Sequence, residues 1–294
     1  MMNQKKPIAV GLGEVLFDLL PDGPKLGGAP ANFAYAARAL GMDGRAVSAI
    51  GADELGKEAR RLLAEKGLPA MLPLVDRPTG NVLVTFHGKG IPSYEFAVRP
   101  AYECVPFTEE LQKLAAETDI CCFGTMAQWG KVTHRTVCCF LDAMRKESLR
   151  VLDVNLRGHF YNQEIIETSL GRANVVKCNE QELPILCDYA GIPEPDADRY
   201  HAFLERLGVV CFMYTEGARQ STVYYGGEKS VLPTPKDEVA DTVGAGDSFT
   251  AALVTGLYQG MALRKAHERA IAVSTFVCTQ HGGMPDYGLM NDRC

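Results

Sequence analysis

The chain has 294 residues, of which 47% are hydrophobic and 22% are charged, and these proportions are ordinary for a globular protein with a large core. Its net charge of −6, without a lysine or arginine cluster, argues against nucleic acid as a partner. Because no apolar run reaches transmembrane length and the first one is too short for a signal peptide, we expect a cytoplasmic protein with no membrane partner.

Short apolar runs alternate with amphipathic segments along the chain, as in a parallel sheet that is buried on both faces. The predicted strands are 8–10, 46–50, 120–123, 151–153, 175–177 and 209–214. The predicted helices are 31–39, 54–66, 133–147, 197–207, 245–258 and 263–279. This alternation predicts an α/β fold with a doubly wound, mostly parallel sheet flanked by helices.

One region interrupts the alternation. Segments 82–87 and 93–98 are rich in β-forming residues, and the five residues between them include two glycines and a proline. This pattern predicts a β-hairpin. Because neither a low-complexity linker nor a repeat interrupts the sequence, we expect residues 1–294 to form a single domain.

The run 241–254, DTVGAGDSFTAALV, combines a turn of small residues with the start of an apolar helix. Gly244, Ala245 and Gly246 would lie at the helix N-terminus, where free N–H groups and the helix dipole favour a phosphate. Asp247 follows in the first helical turn. A carboxylate beside an anion site can accept a proton from a hydroxyl that attacks a phosphate, although the helix N-terminus is expected to lower the pKa of Asp247.

This run resembles the C-terminal signature of the ribokinase-like (PfkB) carbohydrate kinases, and residues 27–32, GGAPAN, resemble their N-terminal signature. The resemblance covers nearly the whole chain. It implies a ribokinase-like fold with a small β-sheet lid, formed by insertions at approximately 14–26 and 80–102. It also implies that the lid pairs two subunits into a homodimer.

The sugar is expected at the carboxyl edge of the sheet. Asp18 follows the first predicted strand and the Gly13-Glu14 turn, and a carboxylate at that edge can accept hydrogen bonds from two sugar hydroxyls. The resemblance supports this role for Asp18. The other residues assigned to the sugar, mostly by the same resemblance, are Gly27, Gly28, Asn32, Arg99, Asn155 and Asp247, with Gly244, Ala245, Gly246 and Asp247 as the catalytic group.

The nucleotide side of the site is also assigned from the resemblance. The run Asn179-Glu180-Gln181-Glu182 resembles the family's Asn-x-x-Glu element, in which the glutamate organises water bound to Mg²⁺. Besides Gly244 and Gly246, the residues implied to contact ATP are Asn179, Thr215, Gly217 and Ser274, while the Asp241 turn and the glycine-rich run 280–285 would hold a monovalent cation such as K⁺.

The predicted function is ATP-dependent and Mg²⁺-dependent phosphorylation of a sugar hydroxyl. Fructose is the first candidate acceptor, because segments 92–96, 153–157 and 176–180 look like those of bacterial fructokinases. Kinases for 2-keto-3-deoxygluconate, ribose or a nucleoside are alternatives, as is a non-catalytic regulator that binds a sugar or a nucleotide.

Two other kinds of site are disfavoured by the sequence. The Gly11-Leu12-Gly13 pair lacks the third glycine of a dinucleotide-binding loop, since Leu16 stands there, and no Walker A loop occurs. Ten cysteines without a Cys-x-x-Cys motif and six histidines without metal-ligand spacing predict neither disulfides nor a structural metal site.

Overall fold

The computed structural model describes residues 5–21, 23–87, 91–236 and 239–293. The strands in these ranges are β1 (Ile8–Leu12), β2 (Leu16–Leu20), β3 (Gly23–Gly27), β4 (Asp43–Val47), β5 (Ala70–Met71), β6 (Gly80–His87), β7 (Ile91–Phe96), β8 (Ile120–Phe123), β9 (Leu149–Asp153), β10 (Val175–Asn179), β11 (Cys211–Thr215), β12 (Gln220–Tyr225) and β13 (Glu228–Pro233). The helices are α1 (Ala29–Ala39), α2 (Glu54–Glu65), α3 (Glu109–Glu117), α4 (Lys131–Ala143), α5 (Gln163–Leu170), α6 (Leu183–Tyr189), α7 (Ala197–Arg206), α8 (Ala245–Tyr258) and α9 (Leu263–Cys278).

The larger sheet has nine strands in the order β13-β12-β11-β10-β9-β8-β1-β4-β5. Strands β5 through β11 in this order are parallel, whereas β12 and β13 are antiparallel and close one edge. The predicted α/β fold class is therefore confirmed. Because the parallel strands end at a common edge, the segments that follow β1, β9, β10 and β11 approach one another there.

Successive residues of the central strands face opposite helical layers. Val10 in β1 and Val176 in β10 pack in the layer of α3 to α7, whereas their neighbours Ala9 and Val175 pack against α1, α8 and α9. All four are at most 1% exposed. Each buried valine side chain contributes about 1.5–3 kcal/mol by removing apolar surface from water, so these short runs hold both layers on the sheet.

The smaller sheet has four strands in the order β3-β2-β6-β7, drawn from the segments predicted to form a lid. Phe17 on one face of β2 is fully buried beside α1 and α2. The pairing places Asp18, Val82 and Phe96 on the opposite face. Phe96 contacts Phe160 of the main body, with their ring centroids 5.0 Å apart, so this face packs towards the segment that follows β9.

Several predicted boundaries are wrong. The strand expected at 46–50 lies at Asp43–Val47, because β4 pairs with β1 through the polar residues at its start rather than through Ala49 and Ile50. The helix expected at 133–147 begins two residues earlier and ends at Ala143. The antiparallel pair β12 and β13 was not predicted, and the turn of the predicted hairpin, residues 88–90, lies outside the described residues.

None of the helices in the described ranges combines the length and the apolar character needed to span a membrane. The nine cysteines described by the structure are all free. Several helices have side-chain N-caps, such as Asp53 in α2, which accepts from Gly56 N at 2.8 Å. By contrast, α1 and α8 begin at Gly28 and Gly244 without a side-chain cap.

Candidate active site

Helix α8 begins at a glycine that other residues cannot replace without strain. Gly244 has a φ of 77°, and a Cβ atom on it would lie 2.5 Å from Cα of Gly283. N–H groups in the first turn of a helix lack intrahelical acceptors and can face an anion. Of the three residues predicted to form the anion site, Ala245 directs its N–H to the carbonyl oxygen of Thr242 at 3.3 Å, and Gly244 and Gly246 are the two glycines of that predicted site.

Asp247 is half-buried in the first turn of α8, and its Oδ2 accepts a 2.8 Å hydrogen bond from Asn32 Nδ2. Burial and, to a smaller extent, the Asp153 carboxylate raise the pKa of Asp247 from 3.8 to about 7, although Asn32, Lys177 and Arg157 oppose the shift. The expected lowering of this pKa is therefore wrong, because desolvation and a neighbouring carboxylate raise it. A carboxyl group that titrates near neutral pH is well suited to general-base chemistry.

A buried ion pair lies beside this helical turn. Lys177 Nζ is 3.0 Å from Asp153 Oδ1, and the two side chains are only 9% and 6% exposed. Thr250 Oγ1 donates to the other carboxylate oxygen of Asp153 at 3.3 Å. A Cβ atom on Gly246 would lie 3.2 Å from Lys177 Nζ, so the ammonium group is adjacent to the predicted anion site.

The start of α1 lies against the segment that follows β1. Gly28 has a φ of 116°, and a Cβ atom there would lie 2.3 Å from the carbonyl oxygen of Glu14. Burial and, to a smaller extent, the Asp247 carboxylate raise the pKa of the Glu14 carboxyl to about 7, although the Ala29 N–H opposes the rise. Among the described residues, Glu14 Oε2 and Asn32 Oδ1 are buried acceptors without a donor.

Asp18 is the third residue of β2, so the expected position at the end of the first strand of the larger sheet is wrong. Gly27, also predicted to bind the sugar, lies close to Asp18, because a Cβ atom on Gly27 would lie 3.4 Å from Asp18 Oδ2. Burial raises the pKa of Asp18, and Asp241 raises it further. The smaller sheet thus brings Asp18 towards the loop that precedes α8.

Arg99 is not brought together with the other residues assigned to the sugar. It is exposed with a φ of 51° and lines a surface cavity of about 680 Å³ with Asp53, Asp76 and Arg77. None of the other residues predicted to bind the sugar lines this cavity. The structure therefore gives Arg99 a position at the base of the smaller sheet without a contact to the site around Asp247.

Asn155 lies two residues beyond β9 with a φ of 44°, a left-handed conformation that asparagine tolerates better than most residues. Its side chain is half-buried. Arg157 follows it, is exposed, and lowers the pKa of both Asp247 and Glu14. Arg157 belongs to segment 153–157, which resembles bacterial fructokinases, but only its position in the fold indicates that its charge acts on the site.

The Asn-x-x-Glu element forms a tight turn at the end of β10. Asn179 Oδ1 accepts from the N–H groups of Gln181 and Glu182 at 2.8 and 3.0 Å, so its NH₂ group is the part that a ligand could use. Glu182 is 3% exposed and accepts from the N–H groups of Leu156 and Asn179 at 3.0 and 2.9 Å. Two lone-pair positions remain on this carboxylate, which fits the orientation of water molecules around a hard cation.

The turn after β11 approaches the same edge of the sheet. Gly217 has a φ of 52°, and a Cβ atom there would lie 3.1 Å from Glu180 Oε1. Thr215 is the last residue of β11, so the predicted nucleotide residues after β10 and β11 are neighbours. Ser274, which was also predicted to contact ATP, lies in α9 and not at this edge of the two strands. Its hydroxyl donates to Ile271 O at 3.1 Å within the helix.

Asp241 joins the loop before α8 to the glycine-rich segment after α9. Its two carboxylate oxygens accept from the N–H groups of Val243 and Gly282, each at 3.0 Å. This contact brings together the two segments predicted to hold a monovalent cation. The same segment carries Gly283, on which a Cβ atom would lie 2.5 Å from Asn32 Nδ2. The loop therefore packs against the residue that contacts Asp247.

Sequence reasoning assigned no role to three charged side chains of the site, Glu14, Asp153 and Lys177. All three are buried: Glu14 lies two residues beyond β1, Asp153 is the last residue of β9, and Lys177 is the central residue of β10. A charged residue within or next to a short apolar run is the sequence signal that could have identified them, because an unpaired charge is costly to bury.

Known proteins resemble this chain over most of its length. Residues 24–287 match the model of the pfkB family carbohydrate kinases. An ATP-dependent 6-phosphofructokinase from Thermoanaerobacterium thermosaccharolyticum is 30% identical over 305 residues, which cover 97% of this chain and 92% of the relative. A fructokinase from Klebsiella pneumoniae is 28% identical over 261 residues, which cover 84% and 83% of the two chains.

Solved structures share the fold. The structure of a fructokinase from Xylella fastidiosa with bound ATP superposes with a TM-score of 0.83 at 21% identity, and the match covers 98% of each chain. At this identity the likeness is evidence for the fold alone.

Proposed function

The chain belongs to the pfkB family of carbohydrate kinases, and from this premise we propose that it transfers the γ-phosphoryl group of ATP to a hydroxyl of fructose, with Asp247 as the general base. The observation that carries the proposal is the position of Asp247 in the first turn of α8, where Asn32 donates to it at 2.8 Å. A base and an anion site are thus presented by the same helical turn.

In the proposed reaction, the acceptor hydroxyl gives its proton to the Asp247 carboxylate while its oxygen bonds to the γ-phosphorus. The bond from that phosphorus to the bridging oxygen of ADP breaks, and ADP leaves with the electron pair. The N–H groups of Gly244 and Gly246 would stabilise the negative charge of the phosphoryl oxygens. The pKa of Asp247, about 7, keeps a large fraction of the base ionised near neutral pH.

Mg²⁺ bound to ATP would neutralise part of the phosphate charge. Glu182 has the chemistry to orient its water ligands, and Asn179 and Gly217 border the same edge of the sheet. We further propose Asp241, with the segment after α9, as the site of a monovalent cation. Its support is the contact of Asp241 with Val243 and Gly282.

We propose that Asp18, Gly27, Gly28, Asn32 and Asn155 bind the sugar beneath the smaller sheet, which would act as a lid over it. We also propose a homodimer through this sheet, on which the apolar side chain of Leu83 is 41% exposed. Introduction of glutamate at Leu83 should yield monomers by light scattering. A dimer that persists in this variant would place the interface elsewhere.

Fructose is favoured by the fructokinase relatives and by the resemblance of three segments to bacterial fructokinases. Fructose 6-phosphate is the second candidate, because the relative with 30% identity is named an ATP-dependent 6-phosphofructokinase. The test is ADP release with ATP, Mg²⁺ and a panel of fructose, fructose 6-phosphate, ribose, 2-keto-3-deoxygluconate and a nucleoside.

The product of each active reaction would be identified by ³¹P NMR, which distinguishes a monophosphate from a bisphosphate. Fructose should give the highest kcat/KM. A higher kcat/KM with another acceptor would replace fructose, and the absence of turnover with every acceptor, combined with tight ATP binding, would favour a non-catalytic regulator.

A further inference from the structure

The buried ammonium of Lys177 takes no part in the proposed bond-making and bond-breaking steps. An ammonium group carries three N–H donors, and among the described residues only Asp153 Oδ1, at 3.0 Å, accepts from it. Desolvation disfavours the charge of Lys177, but Asp153 and Glu182 favour it more strongly, so the pKa of Lys177 stays above its ordinary value. Lys177 is therefore a permanent cation inside the protein.

The position of this cation relates it to the catalytic turn. Strands β9 and β10 are paired so that Lys177 and Asp153 are direct neighbours in register. Their side chains extend to the layer of α8, where Thr250 contacts Asp153 and Gly246 borders the ammonium. The charged groups of the pair act on Asp247 with opposite signs, because Asp153 raises its pKa and Lys177 lowers it.

We propose that Lys177 is a positioning residue of the phosphoryl-transfer reaction, whose buried ammonium stabilises the negative charge of Asp247 while Asp153 serves as its counter-ion. Without Lys177, two carboxylates, Asp153 and Asp247, would share a desolvated region. Like charges in such a region cannot both ionise easily, so the base would be protonated at the pH where it must act. The inference rests on the proposed role of Asp247 as the general base.

Other groups around Asp247 also affect its charge, and they must be held constant in a test. Those facing it from the surrounding elements are Glu14 after β1, Asn32 in α1, Cys122 in β8, Arg157 after β9 and Tyr287 near the C-terminus. Burial raises the pKa of the Cys122 thiol and of the Tyr287 hydroxyl, so both are neutral over the working range. The test variants therefore change the charge of Lys177 and Asp153 only, and leave these other groups as they are.

The test is the pH dependence of kcat in four proteins, namely wild type, Lys177→Met, Asp153→Asn and the double variant. The acid limb is the part of the pH profile in which kcat falls as the pH is lowered. In Lys177→Met this limb should move to a higher pH by about 1 unit or more, since an opposite charge at close range typically accounts for such a shift. In Asp153→Asn it should move down. In the double variant it should return towards the wild-type position, because both charges are gone.

A structural role would produce a different pattern. The control is Val223→Ala, which leaves a cavity at a fully buried position of β12. It should lower stability without moving the acid limb. If Lys177→Met fails to fold because Asp153 is left unpaired, the comparison of Asp153→Asn with the double variant still measures the effect of Lys177. An acid limb that Lys177→Met does not move on either background overturns the inference, and so does loss of ATP binding with an unmoved limb.

The variant Asp247→Asn separates the two proposals. If it keeps kcat within a few-fold of wild type, Asp247 is not the base and the proposed mechanism fails. If it loses activity while the Lys177 series leaves the acid limb unmoved, the mechanism stands and only the role of Lys177 is wrong.

Discussion

Asn32 in the first turn of α1 donates a 2.8 Å hydrogen bond to Asp247 in the first turn of α8. The two residues are 215 positions apart, and both helices begin at a glycine without a side-chain cap. Gly283 packs against the amide group of Asn32 and against Gly244. The two signature segments of the chain therefore form one structural unit around a single carboxyl group.

Asp247→Asn keeps the shape of the side chain and removes its basicity. We expect kcat to fall about 10²–10⁴-fold, which is the usual contribution of a general base. The affinity for ATP should change little, because the N–H groups of Gly244 and Gly246 remain. Steady-state kinetics and calorimetric titration with ATP check this result, and loss of ATP binding by a folded variant would contradict the assigned role.

Asn32→Ala removes the donor that orients Asp247. A hydrogen bond to a charged group contributes about 1.5–3 kcal/mol, so kcat should fall roughly 10- to 100-fold. The matched control is Asp196→Ala, which removes an N-cap from α7 and should lower stability without lowering kcat. Equal kcat values in Asn32→Ala and wild type would show that the carboxylate is oriented by other contacts.

Part of this site could be predicted from the sequence because local chemistry determines it. Gly244, Gly246 and Asp247 are consecutive positions of one turn, and a turn of small residues before an apolar helix needs no knowledge of the fold. Asn32 lies in an equally local motif, although its contact with Asp247 appears only when α1 and α8 pack side by side.

The role of Lys177 could not be predicted in the same way. Its neighbour Asp153 is 24 positions away, and only the register between β9 and β10 brings the two together. The pKa of Asp247 was misjudged for a related reason. The helix N-terminus is visible in the sequence, whereas burial and the proximity of Asp153 depend on the assembled sheet. Likewise, Asp18 could not be assigned to the smaller sheet until β2 had a partner.

Gly244→Ala should impair both stability and nucleotide binding. A non-glycine residue in the left-handed region costs about 1–2 kcal/mol, and the new methyl group would lie 2.5 Å from Gly283 Cα. We expect a lower Tm and weaker ATP binding, measured by thermal unfolding and calorimetry. The control is Gly208→Ala, where φ is 85° but no atom lies within 4 Å, so that only the conformational cost remains. If both variants bind ATP equally well, the contact between Gly244 and Gly283 does not shape the anion site.

Asp18→Ala should affect the sugar and spare the nucleotide. Removal of an acceptor leaves sugar hydroxyls unpaired in a partly buried site. The resulting fall in kcat/KM for the sugar should correspond to a loss of about 2–4 kcal/mol of transition-state stabilisation. The affinity for ATP should stay unchanged in the same preparation. Unaltered sugar kinetics would remove Asp18 from the site and would weaken the assignment of the smaller sheet as a lid.

The raised pKa of Asp247 also predicts how stability depends on pH. Its pKa is about 7 in the folded protein and close to the ordinary value of 3.8 in the unfolded chain. Between these two values the folded state binds a proton that the unfolded state has released, so wild-type stability should fall as pH rises through this window. Asp247→Asn removes the titration, and its Tm relative to wild type should therefore increase from about pH 5 to pH 8 in the absence of ligands.

The exposed Asp188→Asn provides the control and should keep a constant difference in Tm from wild type. A Tm difference for Asp247→Asn that stays constant or decreases with rising pH would mean that the carboxyl is not protonated in the folded protein at neutral pH.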